Sequence, residues 1–241
     1  MHTHYNLAKI CIVGPAGSGK SAIVSRLVKD TFNKRYTPTI GVDFGEKILD
    51  AADKTIKLQL WEGASGKDFI PLHRAFFKDA KAFIVTCDMS QVDSLEKTKV
   101  YWETIKGNIP NNCPVFLVGT KADLPQKVKT NELENLAKEM STSHTVSDIV
   151  TSANKPAPGQ EVSELFEKVA NSVALSAVQK SKAQAPTKKP SPSVTASNAG
   201  MFSEKSNLRK AVAAFFRALG DFMFYCLAEE IGNSHTTKPK R

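Results

Sequence analysis

Cysteine is scarce: Cys11, Cys87, Cys113 and Cys226 are the only four in 241 residues, with no CxxC pair and no metal-ligand spacing among them. That excludes a disulfide scaffold and a zinc-finger framework, and a reducing compartment is the expected home. The opening MHTHYNLAKI lacks a charged-then-apolar layout, so no classical secretion signal is read there. His2 and His4 could grip a metal, but a solvated chain end is the simpler account of them. No internal repeat is present, which sets solenoid architectures aside. No RNA- or DNA-binding motif is found either, and the aromatics of the C-terminal region are packed into one apolar block, so no nucleic-acid polymer is expected as a partner.

Acidic residues are short only at one end. The net charge is +9, yet residues 1–176 carry 22 Lys+Arg against 20 Asp+Glu, while residues 177–241 carry 11 against 4. The basicity belongs to the tail and suggests acidic lipid or an acidic partner. The length allows one full core and an extension.

The first 176 residues alternate short β-branched runs with helix-period segments, the pattern of an α/β sheet covered by helices. AKICIV (8–13) reads as a buried strand, followed by a Gly-rich turn and the helix SAIVSRLVKD. GVDFGEKILDA and KTIKLQLW form an antiparallel hairpin through AADKT. KAFIVTCD (81–88) and CPVFLVGT (113–120) are buried parallel-type strands. The helix VDSLEKTKVYWETIKGNIP between them is stopped by Gly107 and Pro110. TNELENLAKEM is a further helix, VSDIVTSA a last strand, and GQEVSELFEKVANSVALSAV a closing helix with Val162, Leu165, Phe166, Val169, Val173 and Ala177 on one face.

GPAGSGKS (14–21) fits G-x-x-x-x-G-K-[ST] at every fixed position, after a buried strand and at the opening of a helix. A fortuitous Gly-rich turn is the rival, and the strand and helix on either side count against it. In such a loop, backbone N–H groups of Gly14, Ala16, Gly17, Ser18 and Gly19 turn toward phosphates, and the helix N-terminus adds partial positive charge. Lys20 would reach the β- and γ-phosphates, and Ser21 would ligate Mg²⁺. Further on, VGTKADL (118–124) places T-K-x-D at the end of a strand. Asp123 there would accept two hydrogen bonds from guanine, with the stem of Lys121 along the ring; adenine presents the wrong donors. TSAN (151–154), with Ser152 and Asn154 flanking it, can offer the Ala153 N–H to the guanine carbonyl.

In order and spacing, these blocks resemble the Ras superfamily of small GTPases, most closely its Rab branch, over residues 7–176. The resemblance implies a P-loop GTPase fold, a six-stranded mixed sheet flanked by about five helices, with GTP or GDP and Mg²⁺ as cofactors. It implies that Phe32 caps the guanine, Tyr36 folds over the phosphates, and Thr39 gives Mg²⁺ its second hydroxyl. TIGVDF (39–44) and KLQLW (57–61) are similar to the Rab-type switch I and the strand after it. Thr120 stands where most relatives have Asn, and Asn154 where they have Lys. A P-loop kinase is the rival, disfavoured by the guanine motif.

The segment that reads W-D-T-A-G-Q-E in that family is here WEGASGK. Glu62 replaces the aspartate and keeps its charge at the cost of an added methylene. Ser65 replaces the glycine that bonds the γ-phosphate, losing its freedom. Gly66 replaces the glutamine and has nothing with which to orient the attacking water. Lys20, Glu62 and Ser65 are therefore the catalytic candidates, Ser21, Thr39 and Glu62 the metal ligands, and intrinsic hydrolysis is expected to be very slow. His73 could stand in for the glutamine or be a solvated loop histidine. Phe76 and Phe77 could face partners or pack beneath the switch. Ile40, Gly41, Val42, Asp43, Phe44 and Trp61, with those two phenylalanines, make the expected surface for Rab-type effectors and regulators.

The domain is drawn over residues 1–177, a Lys/Pro/Ser-rich disordered linker over 178–202, an apolar amphipathic helix over 203–232 and a basic tail over 233–241. HTTKPKR ends the chain with no cysteine for prenylation. AVAAFFRALGDFMFYCLA (211–228) has only Arg217 and Asp221 as charges, and reads as an interfacial helix on an anionic membrane, with docking on the core or self-pairing as alternatives. Cys226 could be palmitoylated or be a small apolar packing residue. Two functions follow: a GTP-binding switch in vesicle traffic, peripheral on the cytosolic face of a membrane and slow or partner-assisted in hydrolysis; or a non-cycling module that occupies Rab partners. A secreted microbial protein acting in host cytosol is a further possibility for its location.

Overall fold

A computed structural model describes residues 6–39, 41–51, 54–65, 73–111, 113–154 and 161–183. Six strands, β1 (Asn6–Val13), β2 (Val42–Ala51), β3 (Lys54–Gly63), β4 (Ala82–Asp88), β5 (Val115–Thr120) and β6 (Val146–Val150), form one sheet in the order β2-β3-β1-β4-β5-β6. β2 runs antiparallel to β3 and every other pairing is parallel. The helices are α1 (Lys20–Lys29), α2 (His73–Phe77), α3 (Ser94–Ile105), α4 (Thr130–Met140) and α5 (Val162–Ala183), with a short 3₁₀ turn over Lys106–Asn108. The mixed six-stranded sheet with about five helices is the architecture expected from the sequence.

Alternation along the buried strands divides the core in two. Ile10 and Ile12 of β1, Leu58 and Leu60 of β3, Ile84 of β4 and Val118 of β5 pack with Ile23 of α1 and Leu165, Phe166 and Val169 of α5. Their neighbours Cys11, Val13, Phe83, Val85 and Leu117 turn to the other face, against Trp102 and Ile105 of α3 and Leu133 and Leu136 of α4. Both faces of the central strands are thus covered by helices, which is why these strands read as continuous apolar runs.

Several boundaries move. β3 continues past Trp61 to Gly63, because Glu62 and Gly63 still pair with Asp43 and Val42 of β2. The hairpin ladder likewise continues to Ala51 opposite Lys54. α3 ends at Ile105, and Gly107 falls inside the 3₁₀ turn instead of stopping the helix. β6 ends at Val150, leaving Thr151–Asn154 as a loop free to line a site. α5 runs on to Ala183, past the domain end drawn at Ala177, since Ala, Gln and Lys all favour helix once one is under way. Among the described residues no helix is long and apolar enough to cross a membrane. The segments 203–232 and 233–241, most of the linker, His2, His4, Ile40, Gly66, Cys226 and the side chain of His73 lie outside the described residues.

Phe77 is fully buried, and its ring meets Phe83 edge-on at 4.8 Å. Phe77→Ala should cost about 3–5 kcal/mol, the usual range for an aromatic deleted from a packed core, read as a lower urea midpoint at unchanged m-value.

Candidate nucleotide-binding site

The site lies at the carboxyl ends of the parallel strands, where open α/β sheets present their crevice. β1 ends at Val13 between β3 and β4, and the chain turns through Gly14–Gly19 into α1. Gly14 has φ +144°, and a Cβ added there would stand 2.4 Å from Thr86 Oγ1 and 2.8 Å from the Thr86 carbonyl. Only glycine passes that point. Neighbouring strands then fasten the loop. The hydroxyls of Ser18 and Thr86 are 2.5 Å apart and share a hydrogen bond, with the Pro15 carbonyl 2.7 Å from Ser18 Oγ and the Val13 carbonyl 3.2 Å from Thr86 Oγ1; whichever hydroxyl donates across the pair, the other donates to its carbonyl. Thr120 Oγ1, at the end of β5, donates to the Ser18 carbonyl at 2.7 Å and lies 3.2 Å from that of Cys87.

Lys20 is buried at the start of α1 and curls back over its own loop. Its Nζ donates to the Gly14 carbonyl at 3.1 Å, the Pro15 carbonyl at 2.9 Å and Ser65 Oγ at 2.5 Å. Burial pushes its ammonium down to about 8, against the opposing pull of the Glu62 carboxylate. The neighbouring corner joins three elements: Ser21 of α1, Thr39 of the loop before β2, and Glu62 of β3. Ser21 Oγ donates to Glu62 Oε1 at 2.5 Å, Thr39 Oγ1 donates to the same oxygen at 3.1 Å, and the two hydroxyls are 3.1 Å apart. Glu62 is 1% exposed. Burial raises its carboxyl above the ordinary range, while the Ser21 hydrogen bond, Lys20 and Thr39 pull the other way. Its second oxygen, Oε2, is buried with no hydrogen-bond partner. Two hydroxyls and a carboxylate with an orphaned oxygen are hard oxygen donors, which suit a cation such as Mg²⁺. The three predicted metal ligands do meet, and they fit the ion.

A second corner forms around Asp123, in the loop after β5. Ser152 Oγ donates to Asp123 Oδ1 at 2.6 Å, and Asn154 Nδ2 donates to Oδ2 at 2.9 Å. Lys121 takes a left-handed φ of +61°, and its ammonium is 2.6 Å from Asp88 Oδ2 at the end of β4. Ala153 is buried, and its carbonyl accepts from Arg26 Nε at 2.6 Å, tying this loop to α1. Phe32 packs half-buried against the core beside α1. Tyr36 is 64% exposed.

The expected partner surface needs correction. Phe76 and Phe77 are buried: Phe76 sits beneath Trp61 at 6.1 Å between ring centroids, and Phe77 packs on Phe83. An apolar pair on a helix packed against the sheet gains more from burial than from facing solvent. Gly41 is buried too, its carbonyl accepting from Ala64 N–H at 2.9 Å. Phe44, 48% exposed, meets the Trp61 ring edge-on, and Lys9 Nζ lies 4.4 Å from the centre of that ring. Reasoning from sequence missed Thr86, Asp88 and Arg26. The first two were detectable as polar residues in the otherwise apolar run AFIVTCD; an exposed-face arginine on a helix gave no signal.

The sheet, with its Gly-rich loop between the first strand and first helix, is a P-loop GTPase fold. The Ras family model matches residues 9–175, and the chain belongs to that family. It is 32% identical over 171 residues to Ras-related protein Rab-34 of Mus musculus, covering 69% of this chain and 63% of that protein. It is 33% identical over 136 residues to Ras-related protein SEC4 of Saccharomyces cerevisiae, covering 56% and 63%. It is 30% identical over 172 residues to Ras-related protein Rab-13 of Bos taurus, covering 70% and 81%. The chain thus spans less than two thirds of the length of Rab-34 and SEC4.

Thr120→Val keeps the side-chain shape and removes the hydroxyl that holds the Ser18 carbonyl. A buried carbonyl left unpaired costs about 1–3 kcal/mol, so thermal unfolding should occur several degrees lower. Because the loop is released, nucleotide dissociation followed by a fluorescent GDP analogue should accelerate as well.

Proposed function

We propose that the chain is a Rab-like switch that binds GTP and GDP with Mg²⁺ and acts in membrane traffic, with very slow hydrolysis of its own. The observation that carries this reading is the convergence of Ser21, Thr39 and Glu62 beside a buried Lys20, at one end of a crevice whose other end holds Asp123. Lys20 and the loop N–H groups would take the phosphates, and Asp123, with Ser152 and Asn154 fixing its carboxylate, would accept from guanine. Magnesium held by Ser21, Thr39 and Glu62 would neutralise phosphate charge. The chain's own residues then position the nucleotide, exclude adenine, and supply Lys20 as the charge at the phosphates.

The residue at the glutamine position offers no donor for the attacking water. Gly66 has no side chain, and Ser65 stands where a glycine would approach the phosphate. Loss of one transition-state donor costs on the order of 2.7–4 kcal/mol, a factor of roughly a hundred to a thousand. Phe44 and Trp61 are the aromatics left to meet effectors or regulators. The basic, apolar C-terminal segment would hold the chain on an anionic cytosolic membrane surface.

A second reading is a non-cycling module that occupies Rab partners. It is favoured by one contact, the 2.5 Å hydrogen bond from Lys20 Nζ to Ser65 Oγ, which engages the ammonium that a γ-phosphate needs.

The purified full chain separates the two. Under the first reading it carries guanine nucleotide, and γ-phosphate loss takes hours. Asp123→Asn then weakens GTP binding by on the order of a hundredfold or more, and Gly66→Gln raises single-turnover hydrolysis by on the order of a hundredfold. A stable chain that neither copurifies with guanine nucleotide nor binds it in titration calorimetry supports the second.

A further inference from the structure

We propose that the end of the domain opposite the nucleotide crevice holds one acyl chain of an anionic membrane lipid. Lipid capture there is separate from the nucleotide switch and does not depend on it. A cavity of about 230 Å³ lies between the starts of β1 and β3, the turns entering β4 and β5, and α5. Its floor is mostly aliphatic: Ala8, Ile56, Cys113, Val173 and Ala174 line it, and none is more than 8% exposed. The Cys113 thiol already donates to the Ala80 carbonyl at 3.6 Å. Unfilled apolar walls forgo the dispersion contacts that packed side chains make. The volume is below the roughly 300–1,000 Å³ usual for compact ligands, and it suits a slender chain.

The charge around this floor is of one sign. Lys54, the first residue of β3, and Lys81, just before β4, both line the cavity, are exposed, and make no ion pair among the described residues. Among those residues no acidic side chain lines it. Leu7, which lines it too, is 57% exposed. An apolar hollow beside two unpaired ammonium groups is complementary to a fatty chain that ends in an anionic headgroup. A peptide would bring N–H and C=O groups that the aliphatic floor leaves without partners, and a compact hydrophilic anion would leave that floor uncovered. The place in the fold supplies the membrane. α5 lines the cavity through Ser176 and ends at Ala183, roughly 10 Å of helix farther on. Residues 177–241 carry 11 Lys+Arg against 4 Asp+Glu. An anionic surface that attracts that stretch meets the domain at the end where α5 finishes, which is the end that holds the cavity.

Photolabelling of the full chain on vesicles tests this. Phosphatidylcholine vesicles carry either phosphatidylserine or phosphatidylcholine with a diazirine on one acyl chain, and mass spectrometry maps the labelled peptides after irradiation. The phosphatidylserine probe should label the peptides that contain Leu7, Ile56 and Val173–Ser176. The phosphatidylcholine probe should label them on the order of tenfold less, since each lysine near an anionic surface contributes severalfold. Equal labelling of those peptides by the two probes overturns the proposal. Label confined to residues 203–232 overturns it as well, while leaving the tail's own hold on the membrane intact; no label anywhere removes both. Ser176→Trp sets a large ring at the half-buried wall of the cavity and should cut the label on Leu7 and Ile56 severalfold, with that on 203–232 unchanged. Undiminished label on Leu7 and Ile56 in that variant counts against the cavity as the site, and the parent's map decides the matter without any variant.

Discussion

The loop between Val13 and Lys20 has no ladder or helix of its own, so its shape depends on hydroxyls from the strands beside β1. Thr120 of β5 satisfies the Ser18 carbonyl of the loop, and Thr86 of β4 links to Ser18 and lies 3.2 Å from the carbonyl of Val13, where β1 ends. Each such bond contributes only about 1 kcal/mol net, yet leaving its acceptor unpaired costs about 1–3 kcal/mol. The asymmetry makes these bonds obligatory more than strengthening. It also fixes the strand order, since β1 must be central, with β4 and then β5 beside it, for both threonines to reach the same loop. The clearance at Gly14 belongs to the same constraint, because Thr86 occupies the space a side chain would need.

That fastening positions two opposite buried charges. Lys20 and Glu62 are both desolvated, and each shifts the other toward its charged form. Neither is neutralised by a direct pair. Lys20 bonds to carbonyls and a hydroxyl, Glu62 to two hydroxyls, and the groups between them are dipoles rather than ions. Uncompensated buried charge is costly. On the proposed reading, a polyphosphate with its cation would relieve both at once, anion to Lys20 and cation to Glu62.

Much of this was legible in the sequence, and unevenly. The loop GPAGSGKS is contiguous, so its strand, turn and helix could be read as one unit. Asp123 and the TSAN segment were readable because they follow the loop motif in order and spacing; with β4 beside β1, then β5 and β6, the loops after β5 and β6 fall at the same end of the sheet. Ser21 was readable from the loop motif itself, whereas Thr39 and Glu62 came in through resemblance, since they are far from it in sequence and no local pattern links them. The side-chain bonds that hold the loop were not legible, because a threonine in an apolar strand reads equally well as a packed β-branched residue. Phe76 and Phe77 stayed open between partner surface and packing, and were listed with the former, for a related reason. A short amphipathic segment does not say which way its apolar face turns until the sheet edge beneath it is known. Asn154 was read as a mild loss of the usual lysine, whereas its carboxamide reaches Asp123 Oδ2.

The substitutions in WEGASG are therefore not independent losses. Lys20 has three donors, and its three partners are the carbonyls of Gly14 and Pro15 and the hydroxyl of Ser65. A phosphate arriving at the ammonium must displace one of them. The carbonyls belong to the loop that Thr86 and Thr120 hold rigid, so they move least. Ser65 lies two residues beyond the last residue of β3, outside the ladder, and its side-chain hydroxyl can turn away without moving the loop. Glycine at that position would leave the third donor without this side-chain acceptor and ready for phosphate. Serine instead gives the site an internal acceptor that competes with the γ-phosphate, while Glu62, one methylene longer, closes on the two hydroxyls. Both changes give the site internal hydrogen bonds without neutralising either charge, and both act on the same few ångströms of β3 and its exit. On the proposed reading, the two substitutions would let this corner be satisfied without nucleotide and so weaken its coupling to the state of the phosphate.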